Sequence, residues 1–549
     1  MKKLTLILLA LAAIAPAVTT ALRAQNATPN PEATLAYIHG AWQTLARSQM
    51  DCKSLSDSKV ATTPILYLPA GMAKTNELSE LEARCGIKVV NLPKAIDRLG
   101  DLKPQDLPAP GLLYLPKPYV VPGGRFNEMY GWDSYFIVLG LVADQQNEMA
   151  KNMVDNQLFE VENYGAVLNA NRSYYLTRSQ PPFLSSMIRA VYEAPGSFAD
   201  HTAARAWLAH AYGLAQKDYS TWTRPEHLAG ATGLARYYDY GVGPVPEMAD
   251  DNGYYADVIR ILLQHPNSAD ARAFLLKGAE HPDEKEAARL KVVSCDVKES
   301  VVCARAWANG YRLTKDFYAG DRAMRESGFD PSNRFEAFSG ATHHYAPVCL
   351  NSLLYKYEND LAHFATLLGM PREALRWRHR AKVRAAAMQR YLWRESEGVF
   401  ADYDFLLHKS SGYAYITSLY PLWAGVATQE QANRMVKKLN LFERTGGLSM
   451  SHTQTGLQWD EPFGWAPTTW IATAGLAESG HRQDALRIAG KYCATVDKGF
   501  AEDGTIREKY NVVSGNSNVQ VQTGYKSNEI GFGWTNSVYL KMRELLAEK

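Results

Sequence analysis

Residues 122–136 read PGGRFNEMYGWDSYF, which places three glycines, an arginine, two acids and five aromatic rings within fifteen residues. Sugar rings present apolar C–H faces and many hydroxyls. A site for them therefore pairs aromatic rings with Arg, Asp, Asn, Gln and Glu side chains that bond two hydroxyls at once. In this stretch the glycines let backbone approach a ligand, Arg125 offers a fork of donors, Trp132 is suited to lie under a ring and Asp133 to accept from hydroxyls. Carbohydrate binding is the chemistry that such a set serves.

The elements that position these residues read as helices almost throughout. Apolar residues recur at three- and four-residue spacings in 32–48, 201–223, 360–393 and 482–497, and alternating strand-like runs are rare. Between the helices lie Gly- and Pro-containing loops rich in Trp, Tyr, Arg, Asp and Glu, at 122–136, 177–183, 326–335 and 458–467. Functional residues gather on loops held by a rigid scaffold. A closed ring of helical hairpins accounts for many helices, long loops and the lack of a composition break from about 125 to 545. Residues 25–110 read as an N-terminal extension packed on that body, joined to it through the proline-rich 102–124, and the catalytic body covers 111–549. The charged stretch 265–303 reads as a helical insertion near the surface.

Charge narrows the partners. With 59 Lys and Arg against 57 Asp and Glu the formal charge is +2, which favours a neutral small molecule over nucleic acid or an anionic membrane. At the N-terminus two lysines, an apolar run from Leu4 to about Ile14 and small-residue sites near Ala17 and Ala24 have the layout of a secretory signal peptide over residues 1–24, so a periplasmic or secreted protein is expected. Six cysteines in an exported chain permit disulfides, Cys52 with Cys85 and Cys295 with Cys303 being candidates. No metal site is expected: CxxC and HExxH spacings do not occur, and His343 and His344, as neighbours on one chain, should point in different directions. Neither a P-loop nor a GxGxxG after a strand occurs, and no cofactor is expected. Oligomeric state is not encoded in any of these features.

The stretch 122–136 and QWDEPFGWAP at 458–467 resemble the two signature segments of the trehalase family of glycoside hydrolases, in order and at a fitting separation. Similar segments follow the same family at 169–183 (NANRSYYLTRSQPPF), 326–335 (ESGFDPSNRF), 508–511 (EKYN) and 531–536 (GFGWTN). The resemblance implies an all-α (α/α)6 barrel and an exported, bacterial-type α,α-trehalase acting with inversion. An inverting glycosidase needs one carboxylic acid to protonate the departing oxygen and one carboxylate to activate water, typically ~6.5–9.5 Å apart. By resemblance Asp330 falls at the general acid and Glu508 at the general base. It also implies substrate contacts by Arg125, Phe126, Tyr130, Trp132, Asp133, Asn169, Arg178, Gln180, Glu247, Trp459, Asp460 and Trp465. A phosphorylase would not need a carboxylate to activate water, so the match at Glu508 argues for hydrolysis.

Three departures bear on the substrate. Val245 stands where the family carries an arginine two residues before Glu247, Cys349 stands at an acidic position, and the segment 512–529 lacks the family's glycine-rich lid and its glutamate, with Gly524 near that place and Asn528 or Glu529 as stand-ins. They leave open a related inverting hydrolase of another α-linked glucoside, or a catalytically inactive sugar-binding protein.

Overall fold

Six apolar helices stand in a ring, each backed by a second helix on the outside. The computed structural model describes residues 29–56, 63–248, 253–290, 306–522 and 527–548. In chain order the ring is built from α1 (Pro31–Leu45), α2 (Asp133–Ala143), α3 (Asn147–Tyr164), α4 (Leu184–Glu193), α5 (His201–Thr221), α6 (Val348–Leu367), α7 (Pro371–Tyr391), α8 (Tyr420–Ala424), α9 (Gln429–Val436), α10 (Ala466–Glu478), α11 (Arg482–Asp503) and α12 (Gly533–Ala547). The inner helices pack in the order α2, α4, α6, α8, α10 and α12, and α12 closes the ring against α2. This is the expected (α/α)6 barrel. Helices α2 (DSYFIVLGLVA) and α10 (APTTWIATAGLAE) are apolar around most of their circumference and almost wholly buried, as helices with packing partners on all sides must be.

Outer helices are amphipathic and cover the ring. Helix α1 takes such a place: it packs on α11 and α12, and its Ile38, Trp42 and Leu45 join the main core. The N-terminal region thus contributes an outer helix of the barrel, and the rest of it is a separate layer. There β1 (Ile65–Leu68) pairs in parallel with β2 (Lys88–Asn91) and β3 (Leu112–Leu113), order β2-β1-β3, beside the helix Asn76–Cys85. Cys52 and Cys85 form a disulfide under this layer. Cys349 and Cys493 are free and buried, and Cys295 and Cys303 lie outside the described residues.

The insertion is less helical than expected. Of the expected stretch 265–303, residues 265–290 are described: they hold Ala269–Phe274, Glu284–Leu290 and β4 (Leu275–Lys277), which joins β5 (Trp307–Ala308) and β6 (Tyr311–Leu313) beyond it in an antiparallel sheet, order β4-β6-β5. An apolar cluster of its own, including Val245, Tyr254, Tyr255, Phe317 and Phe335, holds it against the barrel mouth. Among the described residues no helix is long and apolar enough to cross a membrane.

Candidate active site

Each outer helix carries the chain back to the same end of the ring, so the loops entering the inner helices share one mouth. Asp133 is the first residue of α2, Gln180 and Phe183 precede α4, Cys349 is the second residue of α6, Trp465 caps α10, and Trp534 is the second residue of α12. The positive ends of the inner helix dipoles therefore face the same space.

The two catalytic candidates reach it from separate loops. The helix Lys315–Ser327 ends at Gly328, whose φ of 76° turns the chain at once towards Asp330. A Cβ at Gly328 would come within 2.8 Å of the Trp132 ring, so glycine is required there for space as well as for conformation. The Asp330 side chain is about a quarter exposed, and one of its oxygens accepts from Arg325 at 3.3 Å. Burial pushes its carboxyl up to about 6. Arg325 and Arg178 act against that shift, and Glu247 and Asp321 add to it. Glu508 is buried, accepts from the Lys509 ammonium at 2.8 Å, and is fixed through its carbonyl by Trp534 Nε1 at 3.1 Å.

The second signature holds both. Gln458 donates to the Asp330 carbonyl, Trp459 N donates to Pro331 O at 3.2 Å, and Asp460 accepts from Asn333 N at 2.8 Å. A few residues on, β7 (Phe463–Trp465) pairs antiparallel with β8 (Lys509–Asn511), Trp465 opposite Lys509, which sets Glu508 at the strand entrance. Asp133 lies in the field of both: burial pushes its carboxyl well above the ordinary range, a backbone hydrogen bond opposes this, and the charges of Glu508 and Asp330 push it further up.

Sugar-binding candidates surround this pair in connected groups. Arg178 is buried, donates to Asn169 Oδ1 at 2.9 and 2.6 Å and to Glu247 Oε1, approaches Asp239 at 3.5 Å, and lies over the Tyr175 ring. The other Glu247 oxygen is buried with no hydrogen-bond partner among the described residues, an acceptor left for a hydroxyl. Gln180 accepts from Trp132 N at 2.9 Å. Phe126 packs edge-on to Tyr130 at 5.4 Å, under the Arg125 guanidinium at 4.7 Å. Arg125, half exposed at the rim, pairs with Glu529 at 3.1 Å, and Asn528 is bound to the backbone of Lys509 and Ser517. Of the two stand-ins for the lid glutamate, only Glu529 thus meets a residue of the first signature; Gly524 lies outside the described residues.

Two expected contacts are supports in this structure. Trp465 stacks on Trp459 with centroids 3.8 Å apart and planes 4° from parallel, while Lys509 lies over its ring at 5.0 Å, so no face is left for a sugar. Asp460 is wholly buried and its oxygens accept from Asn333 N, Tyr413 OH and Thr455 Oγ1. Both belong to the scaffold under Trp459 and Trp132, whose rings are 5.9 Å apart.

The sequence reading gave no role to Arg325, Gln458 or Trp534. Arg325 bears on the missing arginine: Val245 is buried in the insertion's cluster with its N–H donating to Tyr255 OH, and the same hydroxyl donates to Asp321, the partner of Arg325. Positive charge is thus present beside Asp330 although position 245 is apolar. Cys349 likewise sits on an arginine, Arg334, whose fork is taken bidentately by Asp402 at 2.8 and 2.7 Å. Arg334 thus has its carboxylate partner from another segment, with the Cys349 thiol beside it.

A model of the trehalase family matches residues 56–547. The cytosolic neutral trehalase of Kluyveromyces lactis is 33% identical over 91% of this chain and 69% of its own length, and that of Saccharomyces cerevisiae 32% over 88% and 66%. The solved structure of the neutral trehalase Nth1 of Saccharomyces cerevisiae superposes with a TM-score of 0.75 at 30% identity, covering 94% of both chains. These relatives correct the expectation of a periplasmic or secreted protein, since they are named as cytosolic enzymes. Residues 1–24, on which the signal-peptide reading rested, lie outside the described residues. A short apolar run after two lysines is a compositional pattern, and it weighs less than similarity over about nine-tenths of the chain. By the extent of the family match, the likeness in sequence and the shared barrel, the chain belongs to the trehalase family.

Proposed function

We propose that this protein hydrolyses α,α-trehalose to two molecules of glucose with inversion at one anomeric carbon, Asp330 acting as general acid and Glu508 as general base. Asp330 gives its proton to the glycosidic oxygen as the C–O bond breaks. Glu508 takes a proton from the water whose oxygen forms the new bond to the anomeric carbon on the opposite face. The observation that carries this reading is the joint placement of the two carboxyls. One second-signature segment is bonded to both loops, and Asp330 is held near 6, high enough to keep a proton in weakly acidic solution.

Arg178, Asn169 and Glu247 form the polar wall for sugar hydroxyls, and Trp132 with Trp459 the apolar one. The disaccharide is the partner this site calls for. Arg325 weakens the case for another glucoside, because it supplies a cation beside the acid where position 245 does not.

The test is a pair of substitutions, Asp330→Asn and Glu508→Gln. Each should lower kcat on trehalose by about 10²–10⁴-fold, with the thermal midpoint retained. Full activity in either variant would remove that residue from its role.

A further inference from the structure

We propose that Asp316, His343 and His344 form a binding site for one divalent transition-metal ion of the zinc class, which clamps the 333–344 loop to the helix that leads to Asp330. The two imidazoles were expected to diverge. Instead His343 Nε2 and His344 Nε2 converge on the same Asp316 oxygen, at 3.0 and 3.3 Å, with their rings 4.0 Å apart. One ligand atom from each of the three residues lies within 4.8 Å of the others.

These separations fit a metal. A tetrahedral ion with ligand bonds of about 2.0–2.1 Å has neighbouring ligand atoms about 3.3 Å apart, and two imidazoles with one carboxylate form a common zinc ligand set that leaves a fourth position for water. The side chains grade from buried His343 to half-exposed Asp316, so an ion reaches them from solvent. Their backbones are fixed independently of any ion. Arg236 donates to the His343 carbonyl at 2.8 Å, and one turn beyond Asp316 the helix comes so close to the loop that a Cβ on Gly320 would lie 1.7 Å from Gly340 O. Asp316 is in the first turn of a 13-residue helix whose far end leads to Asp330. The ion would therefore sit about 20 Å from the reacting atoms and serve stability, whatever the enzyme's substrate.

The test uses the full-length protein stripped with a chelator and titrated with zinc chloride in a calorimeter. One ion should bind per chain, raising the thermal midpoint by about 2 °C at a hundredfold excess over Kd. Asp316→Asn and His344→Ala, both at solvent-reachable positions, should each abolish binding and the shift while trehalose turnover stays as in the parent. Magnesium chloride should not bind, since that ion prefers an octahedral oxygen set. Absence of zinc binding, zinc binding unchanged in the Asp316→Asn/His344→Ala double variant, or magnesium binding as tight as zinc would each overturn the proposal.

Discussion

Asp330 carries two opposing influences whose balance is open to measurement. Burial raises its pKa to about 6 while Arg325 and Arg178 lower it. A general acid works only while protonated, so kcat/KM should fall about tenfold per pH unit above that value. Replacing Arg325 by Met removes a cation that favours the carboxylate, and the pKa must then rise. The alkaline limb of the kcat/KM profile should move to higher pH; an unmoved limb, or one moved downward, would show that another group sets it. Asp330 and Glu508 were proposed from sequence because each sits in a short segment of several matching residues. Arg325 was not, since its contact with Asp330 depends on how the chain turns at Gly328 after the helix ends. The convergence of His343 and His344 was likewise hidden. Neighbouring residues diverge in a strand, whereas these lie in the short 3₁₀ turn Thr342–His344, where both rings swing to the same carboxylate.

At the scale of elements, helices were readable and short strands were not. Pairs such as β7 with β8 are three residues long, too short for alternation to register, yet this pair sets Glu508 against the second signature. In the insertion, charged residues read as helix concealed β4, a strand of three residues that pairs with β6 beyond the stretch. Gly320 illustrates a constraint that belongs to two elements at once. In an isolated helix Ala at that position would be favoured by about 1 kcal/mol over Gly. Here the added methyl would run into the backbone at Gly340, and the helix and loop would have to part. Gly320→Ala should therefore destabilise the protein by about 1–3 kcal/mol in denaturant unfolding. A gain in stability would mean that the close approach does not exist in solution.

For the molecule as a whole, helical periodicity implies many helices but does not say that they close into a ring. Closure depends on α1, remote in sequence, filling an outer position beside α12, and on α12 packing against α2. Residue patterns near the N-terminus suggested an extension because nothing local marks a helix as part of a ring completed by α12, which begins at Gly533, almost the whole chain later. The ring brings the loops entering its inner helices to one mouth, and the proposed chemistry follows from that gathering of carboxyls, arginine and tryptophans. The measurement that tests the account most directly is a proton NMR time course of the purified protein with α,α-trehalose, following the anomeric signals before mutarotation. Equal early amounts of α- and β-glucose are the expected result, one ring inverted and one released unchanged. Early release of α-glucose alone would contradict inversion, and trehalose left intact after prolonged incubation would contradict the proposed hydrolysis itself.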